Sequence, residues 1–159
     1  MGMSDQARII VIDDDEAIRK SIATVLEGAG YLVDTAKNGK EAIEKTSSGF
    51  YNLALIDIRL PDMEGTQLLT AINKTTPKMI KIMLTGYPSM QNAIDAVNGG
   101  ADGYIVKPAR MDELLRVVKE HLRRQQGAKE YSEEKVKEFI ETRVRELEDK
   151  ERRTTSGQK

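Results

Sequence analysis

Five short strand patterns, each four to six residues long and separated by helical patterns, constrain this chain more than any other feature. Strands are predicted near 8–13, 31–35, 52–57, 80–84 and 103–106, and helices near 16–29, 38–48, 64–75, 89–99 and 110–125. Two of the strand patterns, Arg8-Ile9-Ile10-Val11-Ile12 and Leu53-Ala54-Leu55-Ile56, are nearly continuous in hydrophobicity. Strands of that kind are covered on both faces. Alternating with helices, they imply right-handed crossovers and a parallel sheet. Gly28 and Gly30 end the first helix, Asn38-Gly39 starts the second, Pro77 precedes the fourth strand and Gly99-Gly100 closes the fourth helix.

Chemistry gathers where these runs stop. The first leads into Asp13-Asp14-Asp15-Glu16 and the third ends at Asp57. Open α/β sheets place ligands beyond the carboxyl ends of their strands. If the first and third strands are neighbours, Asp13, Asp14 and Asp57 share one edge. Like charges about 4 Å apart repel by roughly 4 kcal/mol at an effective dielectric near 20, so such a cluster either raises its pKa values or recruits a cation. Oxygen ligands with no nearby Cys or His favour Mg²⁺ or Mn²⁺ over zinc. Taken alone, Asp13 and Asp14 read as readily as helix caps, and Asp15 fits that role by itself.

Two further runs end in a hydroxyl and an ammonium. Met79-Ile80-Lys81-Ile82-Met83-Leu84 leads into Thr85-Gly86, and Gly103-Tyr104-Ile105-Val106 leads into Lys107-Pro108. These groups suit the oxygens of a phosphoryl carried on Asp57. Singly, Thr85 reads as a helix-flanking residue and Lys107 as a surface charge.

In combination, Val11-Ile12-Asp13-Asp14, Leu55 through Gly65 with its Asp57 and Pro61, Leu84-Thr85-Gly86, and Gly100 through Tyr104 with Lys107-Pro108 resemble the receiver domain of two-component response regulators over residues 7 to 124. The resemblance implies that Asp57 is the phosphoacceptor and that Asp13 and Asp14 hold Mg²⁺ (or Mn²⁺) with it. It also implies that the backbone carbonyl of Arg59 completes the metal site and that Lys107 contacts the phosphoryl group. Thr85 and Tyr104 then form the switch, the ring turning inward as the threonine moves. A cis bond before Pro108 is expected from the same source. A flavodoxin-like order 2-1-3-4-5 puts Asp13, Asp14 and Asp57 at the topological switch point. Gly86 leaves room for an attacking water, and Arg59 and Tyr87 are expected to tune hydrolysis. Ala109 departs from the bulky apolar residue the family often has after Lys-Pro.

The remainder of the 159 residues bounds the function. With no cysteine, disulfides and thiolate metal sites are excluded and a reducing, cytoplasmic setting is expected. No apolar stretch reaches membrane-spanning length. Against 25 basic residues stand 26 acidic, so electrostatic capture of nucleic acid is not expected. The single histidine, His121, reads as a helix-surface residue, so the phosphodonor is another protein: a histidine kinase or a phosphotransfer protein.

Residues 125–159 hold nine basic and nine acidic residues and no strand pattern. They read as a separate charged tail or linker, helical from Tyr131 to Arg153 and disordered from Thr154 onward. Val136, Phe139, Ile140, Val144 and Leu147 form an apolar stripe along it. The tail is expected to pack back, to pair with a copy of itself or to lead elsewhere, and it is too short and too evenly charged for DNA readout. The expected output is therefore dimerisation or partner binding, through residues 89–124 or the tail. Two rivals stand beside this: a binding-only pseudo-receiver, and an aspartate-nucleophile phosphatase of the haloacid dehalogenase type. The second wants Asp-x-Asp-x-Thr/Val; Asp13 and Asp15 have the spacing, but Ala17 occupies the fifth position.

Overall fold

The computed structural model describes residues 6–86 and 88–156. Strands β1 (Arg8–Ile12), β2 (Leu32–Ala36), β3 (Leu53–Asp57), β4 (Ile80–Thr85) and β5 (Gly103–Val106) alternate with helices α1 (Glu16–Gly28), α2 (Gly39–Ser48), α3 (Gly65–Thr75), α4 (Met90–Asn98) and α5 (Met111–Ser156). All pairings are parallel, in the order β2-β1-β3-β4-β5. This is the predicted architecture, with strand bounds shifted by no more than a residue.

The strand pleat divides the interior into two cores. Ile10, Ile12, Ala54, Ile56 and Met83 face Ala42 of α2, Leu68, Leu69 and Ile72 of α3, and Ala96 of α4. Their neighbours Ile9, Val11, Leu53, Leu55, Ile82 and Leu84 face Ile22 and Leu26 of α1 and Leu114, Val118 and Leu122 of α5. Alternate side chains point to opposite faces, so a strand covered on both sides must be apolar throughout. Each such aliphatic side chain contributes roughly 1.5–3 kcal/mol when withdrawn from water.

Helix starts follow the short polar residues. Asp15 caps α1, accepting from the Ala17 and Ile18 amides at 2.9 and 3.1 Å, so the alternative reading of Asp15 is the correct one. Asn38 caps α2 through the Glu41 amide at 2.8 Å, and Ser89 caps α4 through Asn92 at 3.0 Å. Gly30 and Gly100, with φ of +98° and +99°, supply the left-handed turns that end α1 and α4.

Helix α5 corrects the sequence reading. The break expected at Gln125-Gln126-Gly127 is absent, and Thr154 to Ser156, expected to be disordered, are helical; the rest of that segment, 157–159, lies outside the described residues. A glycine inside a helix costs only about 1 kcal/mol relative to alanine, and no proline interrupts 111–156. The chain divides into two units between Leu122 and Arg123. In the second, Lys135–Glu138 and Arg143–Glu146 pair along the helix at 4.0 and 3.2 Å. The apolar stripe Val136, Phe139, Ile140, Val144 and Leu147 is exposed. No helix of the described residues is long and apolar enough to cross a membrane.

Candidate functional site

The ends of β1, β3 and β5 deliver the charged residues. In register, Ile12 pairs with Ile56, so Asp13 and Asp57 follow one another across adjacent strands. One oxygen each from Asp13, Asp14 and Asp57 lies within 4.8 Å of the others. Asp13 and Asp57 are buried and Asp14 is exposed. From the end of β5, Lys107 places its Nζ 2.6 Å from Asp13 Oδ2 and 3.5 Å from Asp57 Oδ2. The Lys107–Pro108 bond is cis.

Other contacts orient these carboxylates. Asp13 Oδ1 accepts from the Asp15 amide at 2.9 Å, and Asp57 Oδ1 from the Arg59 amide at 3.3 Å. Arg19 on α1 donates to the Asp13 carbonyl at 2.8 Å. That contact was not anticipated; a basic residue about one turn into a helix carries no distinguishing sequence signal.

The electrostatics follow from burial and neighbours. Burial, then the charge of Asp13, raises the Asp57 carboxyl above the ordinary carboxylate value, against the pull of Lys107 and the Arg59 amide. Burial pulls the Lys107 ammonium down, but the hydrogen bond and charge of Asp13, then those of Asp57, outweigh it and leave it raised. Three carboxylates held together against one ammonium leave the cluster short of positive charge. An all-oxygen donor set of this kind fits a hard divalent cation.

Thr85 and Tyr104, the expected switch pair, sit on the neighbouring strands β4 and β5. Thr85 closes β4, one residue beyond Leu84, the partner of Asp57. It is fully buried, and its carbonyl accepts from the Lys107 amide at 2.6 Å. Tyr104 pairs in register with Met83 and packs against the core that includes Met83 and Ala96. Its hydroxyl is sealed from solvent with no hydrogen-bond partner among the described residues. Gly86 is open: a Cβ there would meet only Lys107 Cβ, at 3.9 Å. Tyr87, expected to tune hydrolysis, lies outside the described residues. His121 is partly exposed on α5, as expected, its Nδ1 2.9 Å from the Val117 carbonyl oxygen and its Nε2 3.3 Å from that of Asp102. Ala109 packs against the core that α5 shares.

Comparison with known proteins agrees with this geometry. A family model described as the response regulator receiver domain matches residues 9–119. The chain is 35% identical over 118 residues to the transcriptional regulatory protein ZraR of Klebsiella oxytoca, covering 74% of this chain and 27% of that protein. It thus spans only part of such relatives; for two from Bacillus subtilis the share is 54% and 51%. Among solved structures, a CheY-like response regulator receiver domain protein from Methanospirillum hungatei is 46% identical with a TM-score of 0.76, covering 77% of this chain and 98% of its own. The response regulator protein TrrA of Thermotoga maritima, solved in complex with Mg²⁺ and beryllium fluoride, is 36% identical with a TM-score of 0.68, covering 73% and 99%.

Proposed function

Because the chain belongs to the response regulator receiver domain family, we propose that it accepts a phosphoryl group on Asp57 from the phosphohistidine of a sensor kinase or phosphotransfer protein. The observation that carries the reading is the convergence of Asp13, Asp14, Asp57 and Lys107, from three strand ends, on one charged cluster. Residues 7–124 are the phosphoacceptor domain in this reading, 125–159 a charged tail or linker, and the setting is the cytoplasm.

Asp57 is the nucleophile. One of its oxygens forms a bond to phosphorus as the phosphorus–nitrogen bond of the donor breaks, and the imidazole departs with a proton. The donor-to-acceptor line must be in-line, and the remaining work is positional and electrostatic. Asp13, Asp14, Asp57 and the Arg59 carbonyl would hold Mg²⁺, which when bound neutralises charge on the phosphoryl oxygens. Lys107, now shared between Asp13 and Asp57, is within reach of those oxygens. Thr85 stands at the adjacent strand end with a hydroxyl for them. Hydrolysis returns the carboxylate: water adds to phosphorus, the acyl-phosphate bond breaks and inorganic phosphate leaves. The space at Gly86 supports that access.

The output is a switch for dimerisation or partner binding. Thr85 and Tyr104 move together between two states, and phosphorylation biases the equilibrium. The exposed apolar residues Met90, Ile94, Val97 and Val106 support residues 89–124 as the responding surface.

Incubation with a small-molecule phosphodonor and Mg²⁺, followed by intact-mass measurement, tests the reading. One added phosphoryl group is expected, absent in Asp57→Asn and absent on chelation. Unmodified wild-type protein at saturating donor and Mg²⁺ would favour a binding-only pseudo-receiver. Turnover of small phosphomonoesters that survives Asp57→Asn but not Asp13→Asn would favour a phosphatase.

A further inference from the structure

The turn between β3 and α3 is tied to a helix that contributes nothing to the acidic cluster. Asp62 Oδ1 accepts from the Gly39 amide at 2.8 Å and Oδ2 from the Lys40 amide at 2.9 Å. Those are the first two amides of α2, which have no partner within their own helix. Asn38 takes the third, from Glu41. The start of α2 is therefore capped twice: locally by Asn38, and by a carboxylate 23 residues away in sequence.

Met63 makes the same junction from the next position. A Cβ on Gly39 would fall on the Met63 thioether, so only bare backbone lets that side chain settle there. Between its anchors the turn is a narrow hairpin. Gly65 donates to the Ile58 carbonyl at 2.6 Å, Arg59 and Glu64 form an antiparallel bridge, and Leu60 donates to the Met63 carbonyl at 3.3 Å. Gly65 admits no side chain, because a Cβ would run into the Asp57 carbonyl. The stem of this hairpin carries Asp57 and Arg59, and its tip carries Asp62.

We propose that Asp62 is a positioning residue for the metal and phosphoryl site: by docking the hairpin tip on the amides of Gly39 and Lys40, it fixes the stem and hence the Arg59 carbonyl. This rests on the phosphoacceptor reading above. The chemistry suits an aspartate, since each carboxylate oxygen takes one amide and the positive end of the α2 dipole favours the charge. The two amides hold its carboxyl below the ordinary value. Asparagine would turn one oxygen into a donor facing a donor. Glutamate would lengthen the reach by a methylene.

The test is Mn²⁺ affinity by electron paramagnetic resonance on the full chain, with Mn²⁺ in place of Mg²⁺. Alongside it runs phosphorylation rate against metal concentration. Loss of a residue that orients metal ligands typically costs 10–100-fold in affinity. Asp62→Asn is expected to weaken Mn²⁺ at least about 10-fold, while the rate at saturating metal stays close to wild type. Asp62→Glu should fall between the two. Asn38→Ala, which removes only the local cap, should lower the denaturation midpoint and leave affinity unchanged. Unchanged affinity in Asp62→Asn, or an equal loss in Asn38→Ala, overturns the proposal and leaves the phosphoacceptor reading standing. A wild-type protein that binds no Mn²⁺ and takes no phosphoryl group overturns both.

Discussion

Replacing Lys107 by glutamine removes the cation that Asp13 and Asp57 share while keeping a polar chain of similar girth. The two carboxylates are buried, and the lysine side chain itself is only 17% exposed. With Lys107 gone, carboxylates within 4.8 Å of each other repel by about 3.5 kcal/mol at an effective dielectric of 20. That is consistent with the roughly 3–5 kcal/mol lost when one partner of a buried pair is deleted. The expected loss, by urea unfolding at pH 7 in chelator, is therefore about 3 kcal/mol, a large share of a small domain's total stability.

Two additions separate charge from packing. Saturating Mg²⁺ should restore most of the loss, because the divalent ion replaces the missing positive charge. In chelator, Asp57→Asn should be neutral or stabilising by itself, and combined with Lys107→Gln it should recover most of the stability. The coupling in that double-mutant cycle is expected at about 1 kcal/mol or more. A loss untouched by both Mg²⁺ and Asp57→Asn would refute the idea that Lys107 acts here as a counter-charge.

Three other perturbations have defined outcomes. Lys81 is 1% exposed, its ammonium donating to the Met79 and Pro77 carbonyls at 2.6 and 3.3 Å, and burial lowers its pKa against the pull of Asp102. The unfolded chain then binds more protons between the lowered pKa and 10.5, so stability should rise with pH across that window. Lys81→Met should remove that rise of stability with pH by urea unfolding, and an unchanged slope would count against this account. Tyr51 donates to Asp34 at 2.5 Å, and burial followed by that contact pushes its pKa up to about 12. Its stabilising effect should be lost as pH rises from 10 through about 12; in an absorbance titration the latest-ionising tyrosine should vanish in Tyr51→Phe, at a cost of about 1 kcal/mol. Gly127 has open space where a Cβ would go, so Gly127→Ala should stabilise α5 by about 0.5–1 kcal/mol; a fall in helicity by circular dichroism would show that residue 127 is not helical.

What the sequence discloses depends on whether a residue acts through its own position or through a distant partner. Asp13, Asp57, Thr85 and Lys107 each stand at the end of an apolar run, and a parallel sheet brings those ends together whatever the details of packing. The order of the runs and the residues closing them were therefore enough to anticipate the cluster. Lys81 had no such warrant. Inside the run Met79–Leu84 a lysine suggests a solvent-facing side, yet β4 is buried along its whole length. The ammonium escapes by curling back to carbonyls in the turn just before its own strand, a path that strand periodicity does not encode.

Helix α5 and the Asp62 junction show the same limit from opposite sides. The shift in composition after Arg124 is real, but composition is not a backbone signal. Glycine merely lowers helix propensity by about 1 kcal/mol, whereas proline would remove a hydrogen bond and clash. Gln125, Gln126, Ala128, Lys129 and Glu130 around Gly127 are all good helix formers, so local energetics favour continuation. Asp62 is the converse, an ordinary turn residue in Leu60-Pro61-Asp62-Met63 whose partners lie 22 and 23 residues earlier. Turn chemistry explains an aspartate there without any tertiary role. Only the meeting of the hairpin with α2 reveals that its two oxygens match two adjacent amides, and that match makes the start of α2 part of the support for a site to which α2 contributes no ligand.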